Sequence, residues 1–236
     1  MNVYPVNALE TANIVSPQKE PYSNLKGLYN RYMAYTVDFN VQAIELAGAW
    51  NLAVETDSVI LGNTNAHSGR IRLYNDNELL HDIDFSINGF LTIISIAKTA
   101  VTNFILDLSG NENISLGYIF IGEKWELPRF VVQPAKGLVL RNESDRTFTG
   151  QVMGTPKEAL RTFSASYMRI PNEQKKAFDD YVNGVQTVIP HVIDPYPEAH
   201  EQFEPFFATV NGYGEAVKRE ENGFYWNFEC NWQEAM

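Results

Sequence analysis

Near the carboxyl end of the chain Phe224, Trp226, Phe228, Cys230 and Trp232 alternate with Tyr225, Asn227, Glu229, Asn231 and Gln233. A period of two with apolar groups on one side marks a half-buried β-strand, which ties this end of the chain into a sheet. Further strands are predicted at Arg70–Tyr74, Phe90–Ile96, Val101–Leu108 and Leu116–Ile121, punctuated by Asn75-Asp76-Asn77, Asn88-Gly89 and Ser109-Gly110-Asn111. Short strands at this spacing predict a β-sandwich. Within it Ile71 and Leu73 face the core, opposite Arg70, Arg72 and Tyr74. The run Phe90–Ala97 reads as a buried strand, being far short of the roughly 20 apolar residues of a membrane span.

The pattern breaks at Glu126-Leu127-Pro128, and a second half opens with Phe130-Val131-Val132 and the polar stretch Arg141–Arg146. Arg161 to Arg169 alternate as a strand that leads to the one helix predicted, about 172–183. Pro171-Asn172 would start it, with Asn172 as cap, and Gly184 would supply a left-handed stop. Phe178, Tyr181, Val182 and Val185 share one face, while Glu173–Lys176 and Asp179–Asp180 fall on or near the outer one. Val188–Ile193 then returns to the sheet ahead of an acidic, aromatic loop, Asp194–Phe207. The expected organisation is a β-sandwich over residues 1–126, which the resemblance given below implies is a jelly roll, and a β-rich domain with one α-helix over 127–236.

Composition changes this picture only by exclusion. The 236 residues are 44% hydrophobic and 20% charged, which suits a folded core. A formal charge of −11 argues against binding to phosphate backbones, so no nucleic-acid partner is expected. No long apolar run and no basic-then-apolar leader is present, so neither membrane insertion nor a secretory address is expected. The single Cys230 can form neither an internal disulfide nor a thiolate cluster and is expected to face the core. No metal or other cofactor is expected: the turns Asn75–Glu78 and Asn111–Asn113 lack the spacing of an EF-hand loop. Of the four histidines, none sits in a helical metal pair or beside a nucleophile elbow, and His191 reads as a hydrogen-bonded, partly buried residue. No catalytic residue is expected.

Two side-chain groups remain as candidates for recognition. Asn63, Asn65, His67, Arg70 and Arg72 form a polar rim suited to sugar hydroxyls, and Tyr196, Phe203, Phe206 and Phe207 suit contact with a partner subunit.

The order of features adds a resemblance. Ser58-Val59-Ile60-Leu61-Gly62-Asn63-Thr64-Asn65, Gly69-Arg70-Ile71-Arg72-Leu73-Tyr74, Asn103–Leu108 and Ile114–Gly122 resemble the discoidin-like, galactose-binding jelly roll over roughly residues 1 to 125. With the strand and helix that follow, Val188–Asp194 and the closing Trp226–Glu234, the whole is similar to distal tail or tail-tip minor proteins of long-tailed bacteriophages. That likeness implies a virion structural protein at the tail tip or baseplate, made in the host cytoplasm, forming a homo-oligomeric ring with other tail proteins and joining the tail tube to the host-adhesion apparatus. The alternative is a carbohydrate-binding module that attaches a particle or enzyme to a host surface glycan. A glycan hydrolase has the least support, since no pair of acids is singled out.

Overall fold

The computed structural model describes residues 1–18, 25–29, 35–128, 135–139, 143–146, 152–155, 160–186, 188–200, 204–220 and 223–235. The predicted start at Phe130-Val131-Val132 and the first residues of Arg141–Arg146 lie outside these. The chain is mainly β, a sandwich followed by a β-rich portion with one α-helix. It divides into two compact units, Asn2–Trp125 and Glu126–Ala235.

The first unit holds β1 (Asn2–Tyr4), β2 (Asn13–Val15), β3 (Val37–Asp38), β4 (Ala43–Thr64), β5 (Ser68–Asn75), β6 (Glu78–Ser86), β7 (Leu91–Ser109) and β8 (Ser115–Gly122). The hydrogen-bonded order is β3-β8-β4-β7-β5-β6, antiparallel at every pairing, with β2 also on β4. Two strands expected from sequence, Phe90–Ile96 and Val101–Leu108, are one strand of 19 residues. β4 and β7 both run the length of the unit, and their register shifts between Ala49 and Val54 and again between Thr56 and Ser58. Bulges bend and twist a strand, and here they change which residues face inward: Ile44, Leu46 and Trp50 before the shifts, Val59 and Leu61 after them. These side chains join Ile71, Leu73, Phe104, Leu106, Ile119 and Ile121 in one core. In the run Phe90–Ala97 only Leu91 and Ile94 are buried, so it is half-buried and not the wholly buried strand its composition suggests. The strand covered on both faces is β8, where Phe120 meets Tyr4 edge-on at 5.6 Å.

In the chain that follows, β9 (Trp125–Glu126) spans the division, and β10 (Ala135–Val139), β11 (Glu143–Arg146), β12 (Val152–Thr155), β13 (Leu160–Ile170), α1 (Asn172–Val185), β14 (His191–Asp194), β15 (Phe206–Glu220) and β16 (Gly223–Glu234) form the second unit. Its main sheet runs β10-β13-β16-β15-β14, and β11 pairs with β12 separately. The alternation read from sequence sets the core: Phe163, Ala165 and Tyr167 of β13 lie beside Phe228, Cys230 and Trp232 of β16. Helix α1 lays Phe178, Tyr181 and Val185 on this face, with the Phe178 ring 4.4 Å from that of Phe228.

Three details of the helix differ from expectation. Pro171 holds the cap position and has no side-chain acceptor to offer, while Asn172 is already helical and its Oδ1 accepts from Trp226 Nε1 at 2.6 Å. Gly184 lies inside the helix, which ends instead at Gln186, where φ turns positive (50°) and the N–H bonds Val182 O at 2.8 Å. Lys175, expected on or near the outer face, is buried: its ammonium bonds Asp179 and lies 4.8 Å from the Trp226 ring and 5.4 Å from that of Tyr213. Aromatic faces and one carboxylate thus replace the water that this cation loses.

A chain of polar groups crosses the same core. Trp232 Nε1 donates to Tyr181 Oη at 2.8 Å, Tyr181 Oη lies 2.6 Å from His191 Nε2, and His191 Nδ1 lies 3.0 Å from Ile189 O. Since indole can only donate and a carbonyl can only accept, all three bonds are met when the tyrosine hydroxyl donates to Nε2 and the imidazole proton sits on Nδ1. His191 is therefore a structural, hydrogen-bonded residue, and it is fully buried.

Candidate functional site

The outward face of β4, β7, β5 and β6 is polar in rows that follow from register. Ala43, Ser109, Ser68 and Ser86 lie across one row, Glu45, Asp107, Arg70 and Asp84 across the next, and Ala47, Ile105, Arg72 and Asp82 across the third. Over the first two rows runs an open groove of about 730 Å³, with Gln18 along its margin. Gln18 is held by its own Oε1, which accepts from the Glu45 N–H at 3.0 Å and the Ser16 hydroxyl at 3.0 Å. Gly69 lets the strands close beneath it, since a Cβ there would lie 2.5 Å from the Phe85 ring and 2.7 Å from the Asp107 carbonyl oxygen.

Both arginines bind carboxylates diagonally across the sheet. Arg70 sits opposite Asp84 and Asp107, yet it makes a two-pronged pair with Asp82, at 2.6 Å through Nε and 2.5 Å through a terminal nitrogen. Arg72 reaches back to Asp107 at 2.6 Å. The hydrogen bond to Asp82 raises the pKa of Arg70, the bond to Asp107 raises that of Arg72, and the bond from Arg70 holds the Asp82 carboxyl below its usual range. Asp84 meets Arg70 only at 3.8 Å, and its side chain is 84% exposed. Ser68 and Ser109 hydroxyls lie 2.9 Å apart at the groove's end. Fixed acceptors, a fixed guanidinium and a hydrogen-bonded pair of serine hydroxyls therefore share one concave surface.

Of the rim predicted from sequence, Arg70 lines the groove and Arg72 supports it through Asp107. The asparagines serve the loops at the strand ends. Asn65 donates to Asn113 O at 2.9 Å and accepts from Ser115 N–H at 2.8 Å, while Asn63 takes a positive φ and donates its N–H to Phe90 O. His67 is exposed one residue before Ser68 and is anchored by backbone bonds to Ser109 and Ile87. Sequence reasoning missed Gln18, Glu45, Ser68, Asp84 and Asp107. A signal for Asp84 existed, because His81-Asp82-Ile83-Asp84-Phe85-Ser86 alternates and puts Asp82 and Asp84 on one face.

The second predicted group is not a free surface. Phe206 and Phe207 are 5% and 2% exposed, and the Arg161 guanidinium, paired with Glu234 at 2.6 Å, lies 5.4 Å over the Phe206 ring. Both rings are buried, Tyr196 is half-buried, and Phe203 lies outside the described residues. Among the described residues, no group of three or more His, Cys, Asp or Glu is placed to hold a metal ion, and no helix is long and apolar enough to cross a membrane.

One buried acid in the second unit predicts a pH effect. Asp194 is 1% exposed, its Oδ2 lies 2.9 Å from His200 Nε2, and the carboxylate also accepts a hydrogen bond from the Tyr196 backbone. Burial pushes its pKa up, partly offset by His200. The folded chain thus keeps a proton that the unfolded chain releases, so stability from this group falls as pH rises from the usual carboxylate range through the folded value. Asp194→Asn is expected to melt level with the parent near about pH 4 and above it near about pH 7. Thermal melts across that range check this, and a constant offset between the two proteins would contradict it.

No protein-family model matches the chain, and no curated protein sequence does. Solved structures similar to it include a Ruminococcus gnavus GH29 fucosidase mutant in complex with fucose (10% identity, 52% of this chain and 28% of that one, TM-score 0.43). They also include the Clostridium perfringens protein CpGH89CBM32-5 in complex with GalNAc-β-1,3-galactose (10%, 51% and 99%, 0.41). A third is chitosan-binding module 1 of a Paenibacillus sp. IK-5 chitosanase/glucanase (11%, 50% and 99%, 0.42). The chain spans only about a quarter of the length of the fucosidase.

Proposed function

We propose that the first unit is a non-catalytic binding module that holds a glycan in the groove over β4, β7, β5 and β6. The observation behind this reading is the groove itself, a concave surface whose polar groups are fixed by the sheet and by one another. Sugar hydroxyls both donate and accept, so they suit a surface that offers carboxylate acceptors, guanidinium and amide donors, and serine hydroxyls that do either. Side chains already held in place lose little freedom on binding, which favours affinity in a shallow, wet site. A screen of the full chain against an immobilised glycan panel tests the reading. A defined subset of glycans is expected to bind, and Ser68→Ala together with Asp84→Ala to reduce that binding about tenfold or more. Retention by no glycan, or retention unchanged in the double variant, would contradict it.

A second reading rests on a different observation. β10 closes one end of its sheet order, all five of its residues are exposed, and they include Leu138 at 65% and Val139 at 43%. An exposed apolar edge strand is a place for another chain to pair, which supports assembly into the ring of a phage tail tip, within a virion. Light scattering over a range of concentrations is expected to give a closed oligomer of fixed mass on this reading, and a monomer at every concentration would contradict it.

A further inference from the structure

The charges in the groove go further and name a class of glycan. Its lining offers three carboxylates, Glu45, Asp84 and Asp107, against the single guanidinium of Arg70. That guanidinium is occupied by Asp82, and the neighbouring Arg72 by Asp107. Among the described residues Arg70 is the one cation in the lining, and its charge is already matched by Asp82. Asp84 stands 84% exposed with Arg70 no nearer than 3.8 Å, and a formal chain charge of −11 adds a field that draws cations and repels anions. Glu45 and Asp84 lie at the two ends of one row across four strands, a span of roughly 14 Å at the usual strand spacing.

We infer that the groove selects a basic glycan, an oligomer of amino sugars whose units carry protonated amines, over neutral and acidic ones. This inference rests on the glycan reading above. An ammonium brings three donors and a compact positive charge to carboxylates that have lone pairs to spare. An oligomer, unlike a single sugar, sets amines against Glu45 and Asp84 together while its hydroxyls meet Gln18, Ser68 and Ser109.

Calorimetric titration of the full chain at about pH 5, which protonates the weakly basic amine of glucosamine and leaves exposed carboxylates mostly ionised, tests this with a β-1,4-linked glucosamine tetramer, its fully N-acetylated counterpart and a galacturonic acid tetramer. The glucosamine tetramer is expected to bind about tenfold tighter than the acetylated one, which is what a few exposed ion pairs supply together. It is expected to weaken as salt is raised. Asp84→Asn and Glu45→Gln should each close part of that gap, and the exposure of Asp84 makes its variant safe for folding. Equal or tighter binding of the acetylated or acidic tetramer overturns the charge selection and leaves the glycan reading standing. Absence of binding by all three overturns the inference, and retention by no glycan of the panel overturns the reading it rests on as well. Equal binding of a lysine tetramer shows a groove that reads charge without sugar, and overturns the inference as well.

Discussion

Replacing Trp232 with alanine is expected to destabilise the second unit by about 3–5 kcal/mol, the usual range for deleting a large aromatic ring from a packed core. The ring is wholly buried and lies 5.7 Å from that of Phe163. Its loss also removes the donor that starts the chain Trp232–Tyr181–His191–Ile189, which joins β16, α1 and β14. Trp232→Phe separates the two contributions. It keeps most of the volume but leaves the tyrosine oxygen without its indole donor, at a cost of about 1–2 kcal/mol beyond the smaller ring. Urea unfolding of both variants checks the ordering. An alanine variant within about 1 kcal/mol of the parent would mean that the site collapses around the gap and that this core is not the packed junction described.

Asn7→Ala is expected to cost the first unit about 3 kcal/mol, from three hydrogen bonds at about 1 kcal/mol each. The side chain is 7% exposed and works in both directions. Its Nδ2 donates to Ile119 O at 2.7 Å, while its Oδ1 accepts from Ile121 N–H at 3.2 Å and from Leu9 N–H at 3.1 Å. It therefore both caps the 3-10 turn Ala8–Thr11 and occupies backbone groups of β8 as a paired strand would. Asn7→Asp should recover only part of the loss, since the carboxylate still accepts but cannot donate to Ile119. Hydrogen exchange at Ile121 is the sharper readout, with faster exchange expected in Asn7→Ala and most of the protection kept in Asn7→Asp, whose carboxylate still accepts that N–H. Unchanged protection there in Asn7→Ala would rule out the bridging role.

The parts of the fold legible in the sequence were those governed by local periodicity. β5, β13 and β16 alternate cleanly because each has one covered face, and the helix was visible through Phe178, Tyr181 and Val185. What sequence could not show depended on distant partners. β7 was divided at Lys98 because a charged residue interrupts an apolar run, whereas in the fold Lys98 points outward to Glu123 and the strand continues. Lys175 was placed outside for the same reason, its aromatic partners being 38 and 51 residues away in sequence. Phe206 and Phe207 suggested a partner surface because two adjacent aromatics near a Pro-rich loop lack strand alternation. In the structure both lie at the start of β15, paired with β14, and both are buried.

The candidate groove follows the same rule. Arg70 was legible within β5, but its function depends on Asp82 and Asp84 of one neighbouring strand and Asp107 of the other, a relation set by register. Asn63 and Asn65 gave a stronger local signal because turns select asparagine for a positive φ and for backbone bonding. The structure assigns those two to such loop roles.

Backbone-amide NMR of the isotope-labelled full chain, titrated with a glycan that it retains, tests the groove most directly. The account predicts shift changes that saturate and concentrate at Glu45, Ser68, Arg70, Asp84, Asp107 and Ser109. Changes confined to the second unit, or to the loop residues Asn63 to His67 with the groove silent, would contradict it.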